Sequence, residues 1–236
     1  MPRVARLSLC AALFLALDPA AFGNGSAVEA PAFVRGDAWR YSELEGFSRL
    51  PLRSHARTVT ATEGGAVRIA EIAAGPNGSN ANEMREEWLY SGAGALASGS
   101  LNERARGALQ PALQLLPFPL VEGKTWSQTV VRTDPALGAP RVVTLHGKVL
   151  GWETVKVPAG EFRALKIERD FLLGDQGTFR SETQRTEYEW YVPQLKSAAR
   201  IEVWEISYDH TIPRILRPLL RDRRFFDLVS FEPGHG

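Results

Sequence analysis

Hydrophobic side chains recur at every second position through most of this chain. That periodicity constrains the fold more than any other feature. A period of two is the signature of a strand with one face buried. Val59 and Ala61, then Thr62-Glu-Gly-Gly-Ala66, then Val67 and Ile69 form a hairpin pattern, with Gly64-Gly65 at the turn. Glu87–Tyr90 reads as a further strand. Strands also follow over Trp126–Thr133, Arg141–Val157, Phe162–Phe171, Thr183–Val192 and Ala198–Tyr208. β-branched and aromatic residues dominate these runs, as a pleated, half-buried surface demands. Pro158-Ala-Gly160 punctuates one pair and Pro193 another, while Gly147 and Gly151 mark expected bulges or bends in the longest run. The class that follows is mainly β and antiparallel.

Two segments depart from the strand period. Leu101, Ala105, Ala108, Leu109 and Leu113 suggest a short helix or helical turn over 102–116, interrupted by Pro111. The stretch Pro213–Arg224 carries five arginines and one aspartate, and Ile215, Leu216, Leu219 and Leu220 fall on one helical face. Residues 213–231 are therefore expected to form a basic amphipathic segment that covers an edge or mouth of the sheet. Arg217, Arg221, Arg223 and Arg224 are its candidate contacts to an anionic membrane surface or an envelope protein.

The chain has 236 residues, 44% of them hydrophobic and 23% charged, ordinary values for a globular protein. Its first residues have another character. A basic start with Arg3 and Arg6 precedes the apolar run Leu7–Leu17, and Asp18-Pro19 and small residues follow. This is the layout of an export signal, with residues 1–23 removed and 24–236 forming one domain. The expected location is periplasmic or secreted. Cys10, the only cysteine, lies inside the apolar run. The processed chain would then hold no disulfide, thiolate or cysteine metal ligand. Removing Arg3, Arg6 and Asp18 leaves 26 basic and 26 acidic side chains, so no global field attracts nucleic acid.

Val34-x-Gly-x-x-Trp39 and Val121-x-Gly-x-x-Trp126 echo each other, each opening a series of strands. The second lies in Leu116-Pro-Phe-Pro-Leu-Val-Glu-Gly-Lys-Thr-Trp126. With Gly151–Ile167, which contains Val-Lys-Val-Pro-Ala-Gly-Glu-Phe162, and Trp190-Tyr-Val-Pro193, it resembles a broad group of secreted bacterial proteins of unknown function. Those proteins are similar to the lipoprotein-carrier class of half-barrels. The resemblance covers roughly residues 115–206 and implies a curved sheet around an apolar hollow; it brings no catalytic residues. The glycine-containing turn usual after Trp-Tyr-x-Pro is replaced here by Gln194-Leu-Lys-Ser197. The expected fold is thus a curved antiparallel sheet or open half-barrel with a few short helices, the alternative being a two-sheet β-sandwich.

No catalytic constellation is legible. His55, His146, His210 and His235 lack metal-ligand spacing. Gly123-Lys124-Thr125 lacks the earlier glycine of a phosphate loop and precedes a strand. The serines at 91, 98 and 100 lack nucleophile-elbow spacing. No catalytic residue, metal or cofactor is expected. The aromatic strand faces are the remaining signal. Leu165, Ile167, Tyr188, Trp190, Ile201 and Val203 are the candidate lining of a hollow for a lipid or other apolar ligand. The expected function is a non-enzymatic exported carrier. The alternative is an envelope interaction protein with a filled core and no ligand.

Overall fold

The computed structural model describes residues 27–76, 83–134, 139–209 and 217–235. The signal-like segment, the turn cluster at 77–80, His210 and Ile215–Leu216 lie outside them. Twelve strands run β1 (Ala38–Glu45), β2 (Pro51–Glu63), β3 (Ala66–Ala74), β4 (Met84–Gly92), β5 (Ala95–Ser100) and β6 (Arg106–Gln114). They continue as β7 (Thr125–Thr133), β8 (Arg141–Val157), β9 (Gly160–Leu172), β10 (Gln184–Val192), β11 (Ser197–Asp209) and β12 (Arg217–Glu232). Each pairs antiparallel with its chain neighbours. β12 also pairs with β1, from Ala38↔Glu232 to Glu45↔Arg224, closing the sheet into a barrel. Closure corrects both the open half-barrel and the sandwich. It leaves no sheet edge in need of a cover.

The two expected helices are strands. β6 replaces the helix over 102–116, and β12 occupies the described part of the basic segment. In both, backbone hydrogen bonding to two neighbouring strands overrides a short local pattern.

Several sequence signals land where expected. Gly64 and Gly65 have φ of 57° and 84°, as a tight β2–β3 hairpin requires. Gly151 has φ of 144° and lies at a register shift in β8. Gly147 marks no bulge: the Trp126 ring lies against it, and a Cβ there would sit 2.2 Å from the ring. Lys196 takes φ of 56° after Pro193–Leu195, supplying without glycine the left-handed turn between β10 and β11. Its Nζ is held 2.7 Å from Asp37 Oδ2.

The two Val-x-Gly-x-x-Trp motifs are equivalent corners six strands apart. Gly36 N–H donates to Val59 O at 2.8 Å, and Gly123 N–H donates to Val149 O at 2.9 Å. Val59 and Val149 each precede a register shift, in β2 and β8 respectively. The barrel is thus built from two halves with matching entrances.

Odd-numbered strands start at one end, called here the upper end, and finish at the lower end. The N-terminal segment and the β6–β7 connection plug the upper end. Val28 and Leu120 exchange backbone hydrogen bonds of 2.8 Å and pack with Val149, Leu165, Ile167 and Tyr191. The outer wall carries ion pairs such as Arg68–Glu87 at 2.8 Å and Lys166–Glu153 at 3.1 Å. Such a wall is not the lipid-facing apolar band of a membrane barrel.

Candidate functional site: a charged lumen

The barrel lumen holds a partly open cavity of about 360 Å3. Its wall is not the apolar surface expected. Trp39, Trp88, Tyr90, Leu96, Ile201 and Phe226 supply the apolar part. Two chains of alternating charge run between them.

The first chain joins β12, β1, β2 and β3. Arg224 Nη1 donates to Glu43 Oε1 at 2.9 Å, and Arg224 Nε donates to Asp222 Oδ2 at 2.6 Å. His55 Nε2 lies 2.9 Å from Glu43 Oε2, and its Nδ1 lies 3.1 Å from Glu71 Oε1. Arg57 Nε donates to the other oxygen of Glu71 at 2.5 Å. Both ring nitrogens of His55 face carboxylates, so both bonds form only when the ring carries two protons. Burial disfavours that charge, but the hydrogen bonds to Glu43 and Glu71 outweigh it and raise the His55 pKa above its ordinary value. Burial alone would raise the Glu71 pKa, yet the Arg57 guanidinium and His55 bring it down to about 2.

The second chain joins β9, β10 and β11. Arg169 lies opposite Glu187, and Arg185 lies opposite Glu205, in the strand register. Arg169 Nη2 reaches Glu187 at 2.9 Å and Glu189 at 2.5 Å, and Nη1 donates to Leu115 O at 3.3 Å. Arg185 contacts Glu187 and donates to Glu205 Oε1 at 2.8 Å. Burial works against the charge on Arg169, but Glu189 and Glu187 more than offset it and hold the guanidinium protonated.

The lower mouth is spanned by the β5–β6 connection, residues 101–105. Arg185 Nη1 donates to Leu101 O at 2.6 Å, Asn102 Nδ2 donates to Glu205 Oε1 at 3.4 Å, and Glu103 meets Arg53 at 3.7 Å. These contacts come from β2 on one side and from β10 and β11 on the other. Inside, Trp88 Nε1 and Tyr191 Oη have no hydrogen-bond partner among the described residues. Burial pushes the Tyr90 phenol up to about 12, so it stays a neutral donor.

The sequence-derived residues divide. Ile201 and Val203 line the cavity. Leu165 and Ile167 also face inward, but the upper plug covers them. Tyr188 and Trp190 do not belong to this set. They pair with Glu168 and Lys166 on the outer face, where Tyr188 Oη donates to Glu168 at 2.9 Å and Trp190 Nε1 donates to Glu153 at 3.0 Å. Arg185, Glu187, Glu189 and Tyr191 of β10 face the lumen instead. Of the arginines, Arg224 points inward, Arg223 pairs with Glu202 at 2.5 Å, and Arg221 is exposed. The Arg217 side chain lies outside the described residues. The missed residues are the inward charges. Their signal was present as Arg53-x-His55-x-Arg57 and Arg185-x-Glu187-x-Glu189, polar residues keeping the strand period. Among the described residues no group of His, Cys, Asp and Glu is placed to hold a metal.

A pH prediction follows from the first chain. The raised His55 pKa adds stability that is present below about pH 6.5 and is lost as pH rises through the folded-state value. The lowered Glu71 pKa adds stability present above about pH 4.5 and lost as pH falls toward about 2. Urea midpoints should therefore plateau from about pH 4.5 to about pH 6.5 and decline on both sides. His55→Gln should lower the plateau and remove the decline on the alkaline side. An unchanged alkaline slope in this variant would contradict the assignment.

No protein family matches the chain, and no curated protein does. Among solved structures it is similar to a candidate lipoprotein of Parabacteroides distasonis, at 13% identity and a TM-score of 0.48, over 88% of this chain and 100% of that one. It is also similar to a candidate exported protein with a YmcC-like fold from Bacteroides fragilis, at 14% identity and a TM-score of 0.43, over 88% and 100%. The hypothetical lipoprotein YmcC of Escherichia coli aligns at 7% identity and a TM-score of 0.39, over 85% and 86%. These are distant likenesses of shape.

Proposed function

We propose that the protein is an exported, non-enzymatic carrier that holds one small amphiphile in the barrel lumen. The carrying observation is the partly open lumen cavity of about 360 Å3 with a mixed wall. That volume lies at the low end of ligand pockets, suiting one acyl chain or ring system and not a multi-chain lipid. Its lining supports a ligand with an apolar body, set against Trp39, Ile201, Val203 and Phe226. The same ligand would carry a polar group that meets Trp88 Nε1 and the Tyr90 and Tyr191 hydroxyls. A pure hydrocarbon would leave Trp88 Nε1 and the Tyr191 hydroxyl without partners, which is costly in a buried site. Location in the periplasm or outside the cell rests on the signal-like segment.

Native mass spectrometry of protein purified from its own cell envelope tests the reading. A bound amphiphile is expected. Ile201→Trp fills the lumen and should weaken binding of a hydrophobic fluorescent probe by at least about tenfold, with the melting temperature little changed. Ligand-free protein that also ignores such probes would favour the alternative, an interaction protein without a ligand.

A further inference from the structure

Exposed apolar side chains are not scattered over this barrel. Nine large hydrophobic residues are exposed among the described residues, and seven of them lie at or beside the lower rim. Phe47 and Leu50, 68% and 65% exposed, occupy the β1–β2 connection, with Leu52 at the start of β2. Phe179, 67% exposed, lies in the β9–β10 connection. Val131, Val142 and Leu172 stand where β7, β8 and β9 reach the same end. The upper end differs: its connections are tight or packed into the plug, and among the described residues only Val121 and, near the end of β12, Val229 are such residues there.

We infer that the lower rim docks onto an anionic lipid bilayer through the hairpin tips that carry Phe47, Leu50 and Phe179. Two features identify the partner as a bilayer. First, the β1–β2 and β9–β10 tips stand four strands apart round the wall, roughly 20 Å at the usual strand spacing. Separate apolar points on one rim fit a fluid, planar surface; one concave protein site would need a contiguous patch. Second, the charge beside the tips is complementary to anionic headgroups. Arg49, between Phe47 and Leu50, lies over the Phe225 ring and has no carboxylate partner among the described residues. Exposed Arg104 and Arg221 likewise have none, whereas Glu103 is engaged by Arg53, Asp175 by Arg180, and the Glu45 carboxylate of the β1–β2 tip by the Phe47 and Ser48 N–H groups and the Ser48 hydroxyl. Apolar tips with arginines beside them that lack carboxylate partners form an interfacial anchor. The docked end is also the end spanned by residues 101–105, so a lumen ligand would pass directly between lipid and barrel. That consequence rests on the carrier reading, while the docking itself does not.

Co-sedimentation with phosphatidylcholine vesicles, with and without phosphatidylglycerol, tests the inference on processed protein purified from the periplasm. The protein is expected to bind the anionic vesicles at low salt and to weaken in high salt. Phe47→Ser/Leu50→Ser/Phe179→Ser should lose at least about tenfold in apparent affinity with an unchanged melt, because all three positions are exposed. Arg49→Gln/Arg221→Gln should remove the preference for anionic vesicles. The Ile201→Trp variant should still bind them, which separates docking from ligand loading. Wild-type protein that ignores anionic vesicles at low salt would overturn the inference, as would a triple serine variant that binds normally. A concentration-dependent dimer that the triple variant abolishes, with no vesicle binding, would assign the rim to a second copy of the chain.

Discussion

Removing residues 211–236 is expected to abolish cooperative folding. β12 is the strand that closes the barrel, hydrogen-bonded to β11 on one side and β1 on the other. Its loss would expose the backbone edges of both neighbours. It would also uncover the surfaces against which Phe225, Phe226, Leu228 and Phe231 pack. Burial of four such side chains contributes about 6–12 kcal/mol in gross transfer terms. That is comparable to the whole stability of a typical domain, about 5–15 kcal/mol. Arg224 leaves with the strand, and Glu43 loses one of its two charged partners. The truncated chain should accumulate as insoluble protein, and any soluble fraction should lack near-ultraviolet dichroism and a thermal transition. A truncated chain that melts cooperatively would show that eleven strands can close without the twelfth.

Arg169→Met is expected to destabilise the folded protein by about 3–5 kcal/mol at neutral pH, because it removes one partner from buried ion pairs. Glu187 keeps Arg185, but Glu189 loses the guanidinium that reaches it at 2.5 Å. A carboxylate left buried without a partner is costly only while it is charged, so the deficit should shrink as pH falls. Urea unfolding of wild type and variant across pH measures this. Adding Glu189→Leu to Arg169→Met should recover part of the loss, since an apolar side chain has no charge to desolvate. A deficit independent of pH would mean that Arg169 matters for its packing and not for its charge.

Eight of the twelve strands and several of their turns were readable from local rules, whereas β1, β5, β6 and β12 were not. Gly64-Gly65 supplies the two positive φ angles of a hairpin, and Val155-x-Val157 before Pro158 keeps one face buried through the β8–β9 turn. The repeated Val-x-Gly-x-x-Trp stands at matching corners because the same backbone hydrogen bonds recur there. Each of these involves one strand or the strand that follows it in the chain. The helical reading failed over 102–116 and over the described part of 213–231, residues 217–231, for the same reason inverted. A few apolar residues at helical spacing are weak evidence when strands on both sides offer hydrogen bonds to residues far away in sequence.

Which face of each strand is the inside was decided only in three dimensions. In β10 the aromatic residues Tyr188 and Trp190 share one face, and Arg185, Glu187 and Glu189 share the other. Hydropathy puts the aromatics inside. The barrel puts the charges inside, because registration of β9, β10 and β11 sets Arg169 opposite Glu187 and Arg185 opposite Glu205. Each inward charge thereby gains a partner that compensates its desolvation. The alternation of side chains along a strand is a local property of the pleat. The choice between its two faces depends on which way the whole sheet curls, and that is fixed when β12 meets β1 and the sheet closes.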